Sequence, residues 1–330
     1  MGGQSGAPVG GVFKSTDSGR TFEPKNTIDE KHSLSASNVL SIAIDPSDEN
    51  RLYAGTAKHD LYLSTDGAET WKPLQTGLIN IENVVVNPFN TQVVYASGLY
   101  NGRGSVVRSD DGGTVWKRIY VEPKDGTNIM SMTMSPTNGE MVYIGTSGGT
   151  IARTLNGGES WENLYHAQNS VNELLIDSGD VNTLYALVDG TDVVKSRDNG
   201  VTFESVRDME RDSETQKLYE GTLYSMTVSP SVSGVVIVGT DRGVFRSNDY
   251  GLSWESVDVI ASTIGIPIHA MQINPHNAEQ LVYAAAKAVY TSVGDGWAIT
   301  DTTSNRIVDV IVHSPVSDSV VYLGLKKAQQ

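Results

Sequence analysis

Six short stretches place an acid or amide between hydroxyls and a glycine. They read STDSGRTF at 15–22, STDGAETW at 64–71, SDDGGTVW at 109–116, TLNGGESW at 154–161, SRDNGVTF at 196–203 and SNDYGLSW at 247–254. The residues at issue are Asp17, Asp66, Asp111, Asn156, Asp198 and Asp249. A carboxylate beside hydroxyls could bind calcium or move a proton. Asn156 argues for a structural use, since an amide keeps the acceptor oxygen but loses the charge. On that reading the Asp or Asn accepts from backbone N–H groups of its own turn. Gly supplies a positive φ, and the terminal aromatic packs beneath. A worn copy, TSVGDGW, covers 291–297.

Other chemistry is thinly represented. The histidines are His32, His59, His166, His269, His276 and His313, with no i,i+4 pair and no His-x-His. That spacing predicts no metal site. Cysteine is absent, so no disulfide or thiolate site can form. No phosphate loop or serine-nucleophile elbow is present, and no cofactor is expected.

The acidic turns recur roughly every 40–50 residues, a spacing that suits one four-stranded propeller blade per repeat. Strand–turn–strand segments alternate with them: IAIDPSDENRLYAGT, VVVNPFNTQVVYASG, MTMSPTNGEMVYIGT, LLIDSGDVNTLYALV, MTVSPSVSGVVIVGT, MQINPHNAEQLVYAA and VIVHSPVSDSVVYLG. In each, an apolar run meets a turn and a second run ends near Tyr. The last pair, ending near Gly324, has no acidic turn after it, and the first acidic turn, at Ser15, has no pair before it. Joined, they complete one blade. The expected fold is therefore all-β: a seven-bladed β-propeller of four-stranded antiparallel blades, closed by N- and C-terminal strands sharing one blade. Such closure leaves no free sheet edge. Residues 1–11 read as a flexible N-terminal segment and 12–330 as one propeller. Tyr53, Tyr95, Tyr143, Tyr185, Tyr283 and Tyr322 are expected to pack between blades.

These motifs resemble the Asp-box, or bacterial neuraminidase repeat, propellers. That superfamily includes sialidases, xyloglucan-degrading hydrolases, the sortilin ectodomain and photosystem assembly factors. The resemblance covers nearly the whole chain, and it implies a structural role for the boxes. Sialidases resemble six-bladed rings with an arginine triad and an early Arg-Ile-Pro, which this sequence lacks. The xyloglucanases resemble two propellers facing across a cleft, each giving an acid. The sortilin ring is larger and followed by Cys-rich modules. Photosystem assembly propellers match in size, although their Gly-Trp-Ile/Val-Val-Gly strand is replaced here by Leu/Val-Tyr-Ala/Ile-Gly.

Numbering each blade's strands A to D from the centre outward, strand A should line a central channel. Aligned, these strands put Ser41, Asn83, Ser131, Glu173, Ser225, Ala270 and Asp309 at one level, with the gap in the last strand placeable two ways. Glu173 and Asp309 are the weak catalytic candidates; a glycosidase pair would need them roughly 5–9.5 Å apart. The A–B and C–D turns share one face, which collects acids such as Asp45, Asp48, Glu159, Asp177 and Asp318. The B–C and D–A loops share the other and hold most of the bases. Long loops on a rigid scaffold favour binding there. The candidate binding residues are Lys31, His59, Tyr100, Arg103, His166, Arg207, Arg211, Tyr219 and Arg242.

A net charge of -15 argues against nucleic acid, which needs a concentrated basic surface. No apolar run is long enough to span a membrane. The expectation is a non-catalytic protein-interaction or assembly propeller, exported or membrane-tethered, with a protein partner. A glycan ligand, or sialidase- or xyloglucanase-like hydrolysis, is the alternative.

Overall fold

The computed structural model describes residues 10–209, 218–259, 265–294, 296–302, 304 and 306–327. Its strands form seven four-stranded antiparallel sheets, each running A to D outward. The A strands are Val39–Asp45, Ile79–Val86, Ile129–Ser135, Val171–Ile176, Leu223–Val228, Ile268–Asn274 and Ile307–His313. They number blades 1 to 7, and each touches the next round to the first. The closure read from the repeats is present. Blade 7 takes A and B from Ile307–His313 and Val321–Lys326, and C and D from Gly11–Ser15 and Glu23–Pro24. Across that seam Val12 pairs with Gly324 and Phe13 with Leu323. Gly11 already lies in a strand, one residue before the expected boundary.

Each Asp box holds its own turn. Asp17 accepts from Thr21 N at 2.9 Å and Thr21 Oγ1 at 2.7 Å, while Ser15 Oγ accepts from Gly19 N. Asp66, Asp111, Asp198 and Asp249 accept from the backbone N–H four residues on in the same way. Asn156 accepts from Ser160 N at 3.0 Å. These hydrogen bonds to the charged form hold the Asp198 carboxyl down to about 2. Ala68, with φ 74, stands where other boxes have Gly.

The repeated tyrosines lie between blades, each at most 1% exposed. They form part of a recurring clasp. A cation packs over the ring and donates to a carbonyl in the next blade's Asp box. Lys14, over Tyr322, reaches Gly67 O at 3.0 Å. Arg51, over Tyr53, reaches Gly112 O, and Arg108, over Tyr95, reaches Gly157 O. Arg153, over Tyr143, reaches Asn199 O. Lys195, beside Tyr185 in the ladder, reaches Tyr250 O at 3.0 Å. The box therefore serves as an acceptor for its neighbour as well as a turn. Burial lowers Lys195 to about 8.

Candidate functional site

The channel is built by a bulge that every A strand shares. In blade 1 Val39 pairs with Thr56 and Ser41 with Gly55, so Leu40 is the extra residue. In blade 7 Val308 pairs with Leu325 and Val310 with Gly324, so the extra residue is Asp309. This corrects the expected alignment. Val310, not Asp309, shares a level with Ser41, Asn83, Ser131, Glu173, Ser225 and Ala270. Asp309 instead shares the bulge position with Leu40, Glu82, Met130, Asn172, Tyr224 and His269.

The two levels do different work. The Ser41 level stitches blades together. Ser41 Oγ donates to Ile81 O, Ser131 Oγ to Val171 O and Ser225 Oγ to Ile268 O. Asn83 Nδ2 donates to Ile129 O. Glu173 belongs to this series, because its Oε2 accepts from Met226 N of blade 5 at 2.7 Å. Its carboxyl lies deep in the ring, and burial pushes it up to about 8. Ala270 and Val310 carry no hydrogen-bonding group, so at this level seam 6/7 lacks the stitch of Ala270 and seam 7/1 that of Val310; a side-chain bond crosses seam 6/7 further along, from His313 N to Gln272 Oε1. At seam 6/7 a cavity of about 330 Å³ opens, lined by Ile266, Pro267, His269, Ala286, Ile307 and Lys326 among others.

The bulge level carries the charge. Lys326 Nζ lies 2.5 Å from Asp309 Oδ1. Glu82 feels the Asp309 carboxylate and, more strongly, its own burial, which together push it up to about 7. His269 packs edge-on to Tyr224, with centroids 5.2 Å apart, and burial lowers its pKa. Glu82, Tyr224, His269 and Lys326 were absent from the candidates of the sequence. The signal for them was the bulge position, which stays hidden until the gap in blade 7 is placed.

The loop-face candidates are dispersed round the rim rather than gathered. Lys31 and His59 are exposed in a D–A loop and a B–C turn. Arg103 is paired with Asp125, and the Tyr100 ring lies 3.7 Å under Arg118. His166 Nδ1 is 3.4 Å from Thr150 Oγ1. Arg207 donates to Thr191 O and covers the Tyr219 ring at 5.0 Å. Tyr219 is itself buried edge-on against Trp254, so it supports Arg207 instead of offering a surface. Arg242 is exposed in a B–C turn. Arg211 lies outside the described residues. On the opposite face Asp45 and Asp177 are not surface charges but buried turn acceptors.

Repeat, closure and box geometry together decide the type. The chain is an Asp-box seven-bladed propeller. No family model matches it. It is 24% identical over 315 residues to a xyloglucanase of Hypocrea jecorina, covering 87% of this chain but 33% of that one. It is 26% identical over 196 residues to xyloglucanase Xgh74A of Acetivibrio thermocellus, covering 23% of that enzyme. The propeller thus spans a third or less of these relatives' length. Among solved structures it is similar to the GH74 xyloglucanase of Xanthomonas campestris, with TM-score 0.71, 16% identity, and coverage of 87% of this chain and 51% of that one. It is also similar to YCF48 bound to D1 peptide, with TM-score 0.66, 16% identity, and coverage of 88% and 94%. YCF48 from Cyanidioschyzon merolae gives a TM-score of 0.63 at 16% identity.

Proposed function

We propose that this propeller is a polypeptide-binding module whose site is the B–C/D–A mouth of the channel. The observation that carries it is the seam between blades 6 and 7, where Ala270 supplies no stitch at the Ser41 level. Its mostly apolar cavity has the volume of a small ligand site and ends at the Lys326–Asp309 pair. An apolar side chain would fill it while backbone groups of the same segment meet Lys326, His269 and Glu82. Arg103, Arg207 and Arg242 on the surrounding rim would steer the partner. The similarity in size to YCF48, solved with a peptide, agrees with this use. Panning a random peptide display library against the immobilised propeller tests the proposal. Selected peptides should lose at least tenfold in affinity on Ile266→Asp and His269→Ala. Peptides indifferent to both changes would overturn the assigned site.

One observation favours a second reading, glycoside hydrolysis. Glu82, pushed up to about 7, is partly protonated at neutral pH while Asp309 is paired with Lys326. Such division between two carboxyls is a feature of acid–base sites. Xyloglucan hydrolysis by the wild-type propeller that disappears in Glu82→Gln would establish this reading in place of the first.

A further inference from the structure

Blade 6 departs from the repeat at its outer edge. The worn copy TSVGDGW puts five residues between Thr291 and Trp297, where blade 3 has six between Thr154 and Trp161. The strands pair on through that stretch, Ser292 with Trp297 and Val293 with Gly296, so a straight hairpin replaces the box. Trp297 keeps the aromatic anchor. Its Nε1 donates to Asp258 O at 2.8 Å, as Trp161 Nε1 does to Ile119 O at 3.2 Å. The turn before the anchor is what changes.

Seam 2/3 shows what that turn otherwise does. Arg108 of blade 2 donates to Asp110, to Glu140 of the next A–B turn and to Gly157 O of the next box. Arg246 of blade 5 repeats the first two bonds, to Asn248 and Glu279. Among the described residues it reaches no carbonyl of blade 6, although a guanidinium carries five N–H groups. The glycines show the same difference. A Cβ on Gly157 would lie 1.9 Å from Arg108 Nη1, whereas one on Gly294, fourth in its motif and at φ +55, would meet nothing within 4 Å. A cavity of about 220 Å³ stands beside Arg246, lined also by Val257, Leu281, Ser292 and Trp297. Val257 lies two residues past the ladder partner of Arg246, as Val206 lies two past that of Lys195. In seam 4/5 Val206 receives the second box glycine: Gly251, at φ +87, has its Cβ position 3.4 Å from Val206 Cγ2.

We propose that seam 5/6 docks a tight turn of a partner polypeptide built like the chain's own boxes, Asn-Gly-Gly or Asp-Gly-Gly. The carbonyl of its first glycine accepts from Arg246, and its second glycine lies over Val257. The chain itself defines this occupant, because a cation, an apolar floor and an anchored Trp receive such a turn in seam 2/3. A β-branched residue in place of the second glycine is excluded by the positive φ and by the floor beneath it. The site lies on the rim of the A–B/C–D face, away from the loop mouth, and stands independently of the function proposed above.

Fluorescence anisotropy on the whole chain tests it. The probe is a labelled, disulfide-closed peptide, Cys-Thr-Leu-Asn-Gly-Gly-Glu-Ser-Cys, carrying residues 154–160 of the blade 3 box. The control probe has Val at the second glycine. Wild type should bind the first probe about tenfold tighter than the control. Arg246→Leu should bind it about tenfold more weakly, because a charge-assisted hydrogen bond is lost. Leu63 stands at that register in blade 1, so the variant should fold. Replacing residues 292–296 with Leu-Asn-Gly-Gly-Glu-Ser restores a box to blade 6. It should close the cavity, abolish probe binding and raise the thermal midpoint. A wild-type chain that binds neither probe, or both equally, overturns the proposal. So does an affinity unchanged in Arg246→Leu or in the chain with the restored box.

Discussion

Glu173 offers a test of how the inner ring is held. Its carboxyl titrates near 4.5 when free and is pushed up to about 8 by burial. From pH 5 to about 7.5 the folded chain keeps this proton while the unfolded chain releases it. Stability from this group is thus full below about pH 4.5 and is lost as pH rises through about 8. Each pH unit costs about 1.4 kcal/mol, or about 3 kcal/mol across the interval after saturation near the upper end. Glu173 is only half-buried, and solvent screening moderates this figure. Glu173→Gln keeps an acceptor oxygen for Met226 N and removes the titration. Below pH 6.5 His313 acts oppositely, because its pKa is lowered and its stability is lost as pH falls through about 4. The informative quantity is therefore the difference between wild type and variant. Urea unfolding followed by tryptophan fluorescence at pH 5, 6, 7 and 7.5 measures it. The variant should gain on the wild type as pH rises, by about 3 kcal/mol over the range. A pH-independent difference would show that Glu173 is not held protonated in the ring, and the reasoning would fail.

Other expectations follow from the same contacts. Ala270→Ser should supply the missing stitch at seam 6/7, raise stability by about 1 kcal/mol and narrow the cavity, read by thermal unfolding and by weakened peptide binding. Gly158→Ala should destabilise by at least 1–2 kcal/mol, since φ is +97 and a Cβ would lie 2.3 Å from Ile119 Cδ1. Deleting Gly11–Ser15 removes the C strand of blade 7 and should abolish cooperative unfolding of the ring, seen as a lost or split calorimetric transition. Charge reversal at Arg103, Arg207 and Arg242 should slow association of display-selected peptides at low salt; unchanged on-rates would exclude these residues from steering.

The fold was legible because its signals are local and repeated. Ser15, Asp17, Gly19 and Thr21 close one turn among themselves, so the motif that marks each blade is also the device that builds it. The shared blade followed from one unmatched box and one unmatched strand pair. The site was harder to read for a physical reason. A bulge moves one residue between levels without changing composition, so Asp309 and Val310 could exchange places until the ladder to Gly324 and Leu325 was seen. Burial of Tyr219 and Asp177 was hidden likewise, since Trp254 and Ser233 approach them from another blade. The clasp of Lys14, Arg108 and Arg153 on the next box joins residues roughly 45–55 positions apart, and no single repeat displays it.

The central claim is that the loop-face mouth holds a polypeptide. Its most direct test is isothermal titration of one display-selected peptide into the wild-type propeller and into Ile266→Asp, with xyloglucan oligosaccharide titrated in parallel. The account predicts saturable one-to-one peptide binding, at least tenfold weaker in the variant, and no heat from the oligosaccharide. Oligosaccharide binding at that mouth with no peptide binding would contradict it.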